Sequence, residues 1–159
     1  MISTRWAAVR SRACLWGARL ESASKNRTKV LLNLLLDTHL LLWAAGEPQR
    51  LTVKTRALLL DSANHLIFSS ASLWEISIKN GLERSEFNVD PRRLWRMLLV
   101  NGYRELPVTS EHAVAVNDLP HLHKDPFDRI LVAQARVEGL MLLTTDKAVA
   151  KYGEGVRKV

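Results

Sequence analysis

The chain has 159 residues, 47% of them hydrophobic and 25% charged, with one cysteine and a formal net charge of +7. One domain is expected, burying roughly two thirds of the surface of the unfolded chain, and the lone Cys14 excludes an internal disulfide, a thiolate zinc site and a motif-bearing Cys nucleophile. The longest apolar runs, such as residues 30–36, are far too short to cross a bilayer, which with the cysteine usage points to a reducing cytoplasm and no membrane role.

The basic charge is unevenly placed. Residues 1–30 carry seven basic side chains (Arg5, Arg10, Arg12, Arg19, Lys25, Arg27 and Lys29) against Glu21 alone, which is +6 and leaves +1 for the remainder. A general argument from basicity to nucleic-acid binding therefore does not extend to residues 31–159, and any such case must rest on a site. The extension has three readings: a translation start placed too far upstream, with the true one near Val30; a disordered basic arm; or a targeting segment or helix, the last kept open by Trp6 and Trp16. The division is thus a basic extension over 1–30 and one domain over 31–159.

VLLNLLLD is too densely apolar for an amphipathic helix and reads as a buried parallel strand. THLLLWAAG follows as a helix stopping at Gly46, and Thr52 begins a second, TVKTRALLLDSAN. HLIFSS returns to strand character, then ASLWEISIKNG is helical to Gly81. Asp90 and Pro91 supply an N-cap and first-turn proline for RRLWRMLLVNG. YRELPVT is a strand that Pro107 assigns to an edge or strand end, and SEHAVAVNDL a short helix. DPFDRILVAQARVEG is a longer helix ended by Gly139, LMLLTTD the last clear strand, DKAVAKYG a final short helix and VRKV an edge strand. Alternating helices and non-alternating apolar strands predict an α/β fold of three layers, α/β/α, around a mainly parallel central sheet.

Ligands in such sheets sit beyond the carboxyl ends of the strands. Asp37 ends the first strand, Asp146 ends LMLLTTD, and Glu75 lies in the helix after HLIFSS, so three acids share that edge. Asp128 is in the first turn of the helix that feeds the Asp146 strand, which puts its start at the opposite edge unless an extra turn of helix reaches over; topology alone leaves it undecided. Clustered carboxylates repel and raise one another's pKa unless a cation neutralises them. All-oxygen ligation favours Mg2+ or Mn2+, and such an ion beside a phosphodiester points to hydrolysis of RNA or DNA.

Each acid also has a plainer reading. Asp37 and Asp146 fit N-caps, Asp125 before Pro126 fits a cap better than a ligand, and Glu75 fits a solvated helix residue. His39, His121 and His123 raise a transition-metal alternative that has no HExxH or cysteine partners behind it. Trp43, Trp74 and Trp95 fall on apolar helical faces and read as core or interface rather than as base-stacking platforms.

The ordered set LLLDTHLLLW, SSASLWEISIKNG, LPHLHKDPFDRILVAQA and LLTTD resembles the motifs of PIN-domain ribonucleases, specifically the VapC-type toxins of bacterial toxin–antitoxin modules, over residues 32–152. The resemblance implies Asp37, Glu75, Asp128 and Asp146 as the metal-binding, catalytic acids, with Asp128 and not Asp125 holding the ion. Thr38, Ser72 and Thr145 become polar neighbours able to orient water or phosphate, and Arg129 either a contact to RNA or antitoxin or an ordinary ion pair. It also implies a Mg2+-dependent endoribonuclease, commonly a homodimer, held inactive by a cognate antitoxin. Two other classes compete: a catalytically inactive PIN-like module that binds RNA or a partner protein, and a phosphotransferase using Asp37 as nucleophile, against which position 39 is His where a second acid is usual.

Overall fold

The computed structural model describes residues 31–82 and 89–159, so the expectations for residues 1–30 lie outside the described residues. Five strands, β1 (Asn33–Leu36), β2 (His65–Ser69), β3 (Arg104–Leu106), β4 (Met141–Thr144) and β5 (Val156–Lys158), form one sheet in the order β3-β2-β1-β4-β5, with every neighbouring pair parallel. The helices are α1 (Thr38–Gly46), α2 (Val53–Leu60), α3 (Ser70–Gly81), α4 (Pro91–Val100), α5 (Ser110–Ala115) and α6 (Pro126–Val137).

Burial on both faces explains why the strands do not alternate in sequence. Leu34 and Leu36 of β1 join one core with Leu40, Leu41, Phe68, Ile76, Leu94 and Leu98, drawn from α1, β2, α3 and α4. Leu35, between them, points the other way and joins Ile67, Leu131, Val132, Ala135 and Leu142, the core beneath α6. Two apolar layers on one sheet give the expected three-layer α/β/α architecture.

Several boundaries differ from expectation. β1 ends at Leu36, leaving Asp37 as the N-cap of α1, and β4 ends at Thr144, two residues before Asp146. Thr52 caps α2 rather than beginning it; its hydroxyl accepts from the Thr55 amide. The expected helix after Asp146 is a 3-10 turn, Val149–Tyr152, and SEHAVAVNDL divides into α5 and a 3-10 turn, Val116–Asp118. β3 and β5 are the two edges, as Pro107 and the short VRKV run suggest.

The placement of Asp128 requires a correction. A helix that leads through a tight turn into a parallel strand runs antiparallel to it, and α6 does so through Gly139, whose φ of 62° makes the reversal. Its end therefore meets the amino edge of the sheet and its start, with Asp128, the carboxyl edge. No extra turn is needed. The neighbours β1 and β4 are where strand order reverses, which puts the switch point of the sheet at their carboxyl ends.

Candidate active site at the carboxyl edge

Asp37 lies at that switch point. Its Oδ1 accepts the Leu40 amide at 2.7 Å, capping α1, while Oδ2 accepts the Thr145 amide at 3.2 Å, tying the end of β1 to the end of β4. Capping and membership of the acidic cluster are therefore not alternatives for this residue. Burial raises its carboxyl above the ordinary range, opposed by a hydrogen bond from the Thr144 hydroxyl and by the Leu40 amide.

The chain passes from β2 into α3 without a loop, so Ser72 and Glu75 stand directly over the same edge. Glu75 is 5% exposed, which excludes the solvated-helix reading. The Thr38 hydroxyl donates to its Oε2 at 2.5 Å, and the Lys79 ammonium meets its Oε1 at 2.5 Å. Ser72 is buried, and its Oγ has no hydrogen-bond partner among the described residues, leaving a polar atom for a ligand or water to satisfy.

Asp128 enters from α6, where Asp125 caps the helix by accepting the Phe127 amide at 2.8 Å. Its carboxyl is raised to about 6, first by burial and then by the negative charge of Asp125; the charges of Glu75 and Asp37 push the same way, against the pull of His123. Asp128 is thus within electrostatic reach of both other acids. Asp146 is more open, its side chain 47% exposed, and Oδ1 accepts the Ala148 and Val149 amides. Slight burial works to raise its carboxyl, but those two amides hold it below the ordinary range.

His123 links the last two acids, with Nδ1 at 3.4 Å from Asp128 Oδ2 and Nε2 at 3.8 Å from Asp146 Oδ2. It is therefore part of the acidic site and not half of a separate site with His121, which is exposed. Thr144, fully buried, bonds Asp37 and also accepts the Asp146 amide at 3.0 Å. Sequence reasoning missed Thr144 and Lys79. The i, i+4 spacing of Glu75 and Lys79 on one helix was the available signal for the second.

Arg129 is a brace: its guanidinium donates to the carbonyls of Val116, Leu119 and Pro120 and to the Tyr152 hydroxyl, at 2.9 to 3.3 Å, rather than to a carboxylate, which sets the ion-pair reading aside. Of the two readings of Trp74, core or interface, the core one falls: it is 63% exposed, its ring edge-on to Phe127 at 5.2 Å, and Ile78 and Leu82 are exposed with it.

The donor set is oxygen-only and suits a hard divalent cation. Burial raises the Asp37 carboxyl, and at Asp128 burial is joined by neighbouring negative charge that a cation would relieve; the unbonded Ser72 hydroxyl adds a polar atom. As the side chains stand, no three His, Cys, Asp or Glu among the described residues converge closely enough to ligate one ion. Lys79 and His123 rest against the carboxylates instead.

A family model described as PIN domain matches residues 34–155. The chain is 28% identical over 123 residues to the curated Ribonuclease VapC22 of Mycobacterium tuberculosis, covering 77% of this chain and 93% of that one. Among solved structures it resembles VapBC2 from Rickettsia felis bound to a promoter DNA fragment, with 15% identity, a TM-score of 0.56 and coverage of 81% and 98% of the two chains. It also resembles DNA-bound VapBC from Salmonella typhimurium, with 19% identity, a TM-score of 0.52 and coverage of 80% and 97%. These structural likenesses concern the fold.

Proposed function

Given that the chain belongs to the PIN-domain family, we propose that it is a metal-dependent endoribonuclease, the toxin of a toxin–antitoxin pair, acting through Asp37, Glu75, Asp128 and Asp146. The observation that carries this reading is that Asp37, Glu75 and Asp128 come from three separate elements at one edge of the sheet, near enough that the charges of Glu75 and Asp37 add to burial and to Asp125 in raising the Asp128 carboxyl to about 6. A fold seeking only stability gains nothing from such a grouping.

Asp37, Glu75 and Asp128 would hold Mg2+ or Mn2+, with Asp146 at the open rim. When bound, such an ion offsets the carboxylate charge and supplies Lewis acidity for attack of water on a phosphodiester. The chain's own part is positioning. The Leu40 and Thr145 amides each bind one Asp37 oxygen and the Thr144 hydroxyl adds a third bond, which fixes the carboxylate while leaving it acceptor capacity. Thr38 fixes Glu75 in the same way, and Ser72 and Thr145 are polar neighbours for water or phosphate.

The partners in this reading are an RNA substrate, an antitoxin and a second copy of the chain. Support for the protein partners comes from the relatives, described as VapBC, and from the exposed Trp74, Ile78 and Leu82 stripe. No described helix is long and apolar enough to cross a membrane.

RNA cleavage by purified protein is the test. Cleavage with Mg2+, abolished by EDTA and reduced about a hundredfold or more by Asp37→Asn, is expected. Asparagine keeps an oxygen to cap α1 but loses the acceptor for the Thr145 amide, so an unchanged Tm of the variant is the control that assigns the loss to charge. RNA binding without cleavage would instead support the inactive module.

A further inference from the structure

Glu75 differs from the other acids in the site: both of its oxygens are taken by side chains. Oε2 receives the Thr38 hydroxyl and Oε1 the Lys79 ammonium, each at 2.5 Å. Glu75 is buried, yet the Lys79 side chain is 46% exposed, so the lysine stem lies along the surface and delivers its charge inward from one helical turn away. A buried carboxylate without a cation is costly, and here the chain itself supplies the cation. The ammonium also sets a positive charge beside the same oxygen through which Glu75 would meet a divalent ion, so the two cations would repel each other there.

We propose that Lys79 is the resident counter-ion of the site: it occupies the Glu75 Oε1 position when no divalent ion is present, competes with the ion for that position, and so sets the metal concentration at which the site fills. This rests on the reading of Glu75 as a metal-binding acid. Lys79 is a positioning residue in this account. Its exposed stem lets the ammonium swing into water once displaced, whereas Thr38, which is buried, stays on Oε2. The lysine thereby holds the Glu75 carboxylate in place for the incoming ion, and the cost is weaker metal affinity.

The experiment is direct titration of Mn2+ into purified protein, followed by calorimetry and by the EPR signal of free Mn2+, for the native chain, Lys79→Met and Lys79→Arg. Lys79→Met is expected to bind Mn2+ three- to tenfold more tightly, the scale of losing one partly exposed charge-assisted competitor. It is also expected to show a lower metal-free Tm that Mn2+ restores. Lys79→Arg, which keeps the charge, should stay near the native affinity. A lysine serving only to stabilise α3 would leave affinity unchanged or weaken it on removal, and either result with a native chain that binds Mn2+ overturns the counter-ion role alone. Failure of the native chain to bind Mn2+ overturns the metal reading of the site and this inference with it. If Lys79→Met does not fold, Lys79→Gln takes its place under the same criteria.

Discussion

Asp128 connects local geometry to a measurable pH dependence. Its carboxyl sits at about 6 in the folded chain against an ordinary 3.8, chiefly because it is buried and faces Asp125. Below pH 4 the group is protonated in both states and costs nothing. Between about pH 4 and 6 the unfolded chain has released its proton while the folded chain retains it, so stability falls as pH rises through that window. Asp37, also raised, adds to the same slope, and Asp146, lowered, acts with the opposite sign at more acidic pH. Urea midpoints of metal-free protein are expected to fall from pH 4 to 6.5, and Asp128→Asn should flatten that decline. A decline of equal size in the variant would show that Asp128 is not its source. Saturating Mg2+ should flatten it too, because an ion favours the charged carboxylate. At this scale the sequence was informative where chemistry coincides with strand ends: Asp37 and Glu75 stand out as acids at one edge. Thr144 did not stand out, because its two bonds join residues brought together only by pairing of β1 with β4.

The elements explain why α6 was hardest to place and why it matters. Its cap, its first-turn proline and its terminal glycine were all legible, since each is local chemistry at Asp125, Pro126 and Gly139. Its direction followed from connectivity, and once the helix is taken as antiparallel to β4, Asp128 falls on the acidic edge without special pleading. What sequence could not supply is how the start of α6 is held. Arg129 does this, its guanidinium gathering the carbonyls of Val116, Leu119 and Pro120 against the Tyr152 hydroxyl. An arginine beside acids reads in sequence as a surface charge, whereas its carbonyl partners are tertiary. Arg129→Ala leaves three carbonyls without that donor and is expected to cost about 2 kcal/mol, seen as a lower urea midpoint at unchanged m. An Mg2+ requirement shifted upward would accompany it, as the start of α6 loosens around Asp128. Trp74 gives the converse case: its place on an apolar helical face was visible, but such a face does not by itself say whether it meets core or solvent.

For the whole molecule, charge distribution bears on how RNA is recruited. Of the formal +7, residues 1–30 hold +6, seven basic residues against Glu21, and residues 31–159 hold +1. A nuclease that captures RNA through a broad basic surface loses affinity steeply with salt, in proportion to the phosphates it neutralises. A nearly neutral domain with its acids gathered at one crevice is expected to depend on divalent metal instead. Two slopes separate these contributions: the salt dependence of RNA binding in Mg2+, measured for the full chain and for residues 31–159. The shorter chain should give a shallow slope, with a log–log value of about −1 to −2, and should cleave RNA at a rate close to that of the full chain at high salt. The full chain should bind more tightly only at low salt, since added basic residues act through counter-ions and not through the site. Equal, steep slopes would instead place the phosphate contacts on the α/β domain, where the spread of its charge gives no reason to expect them.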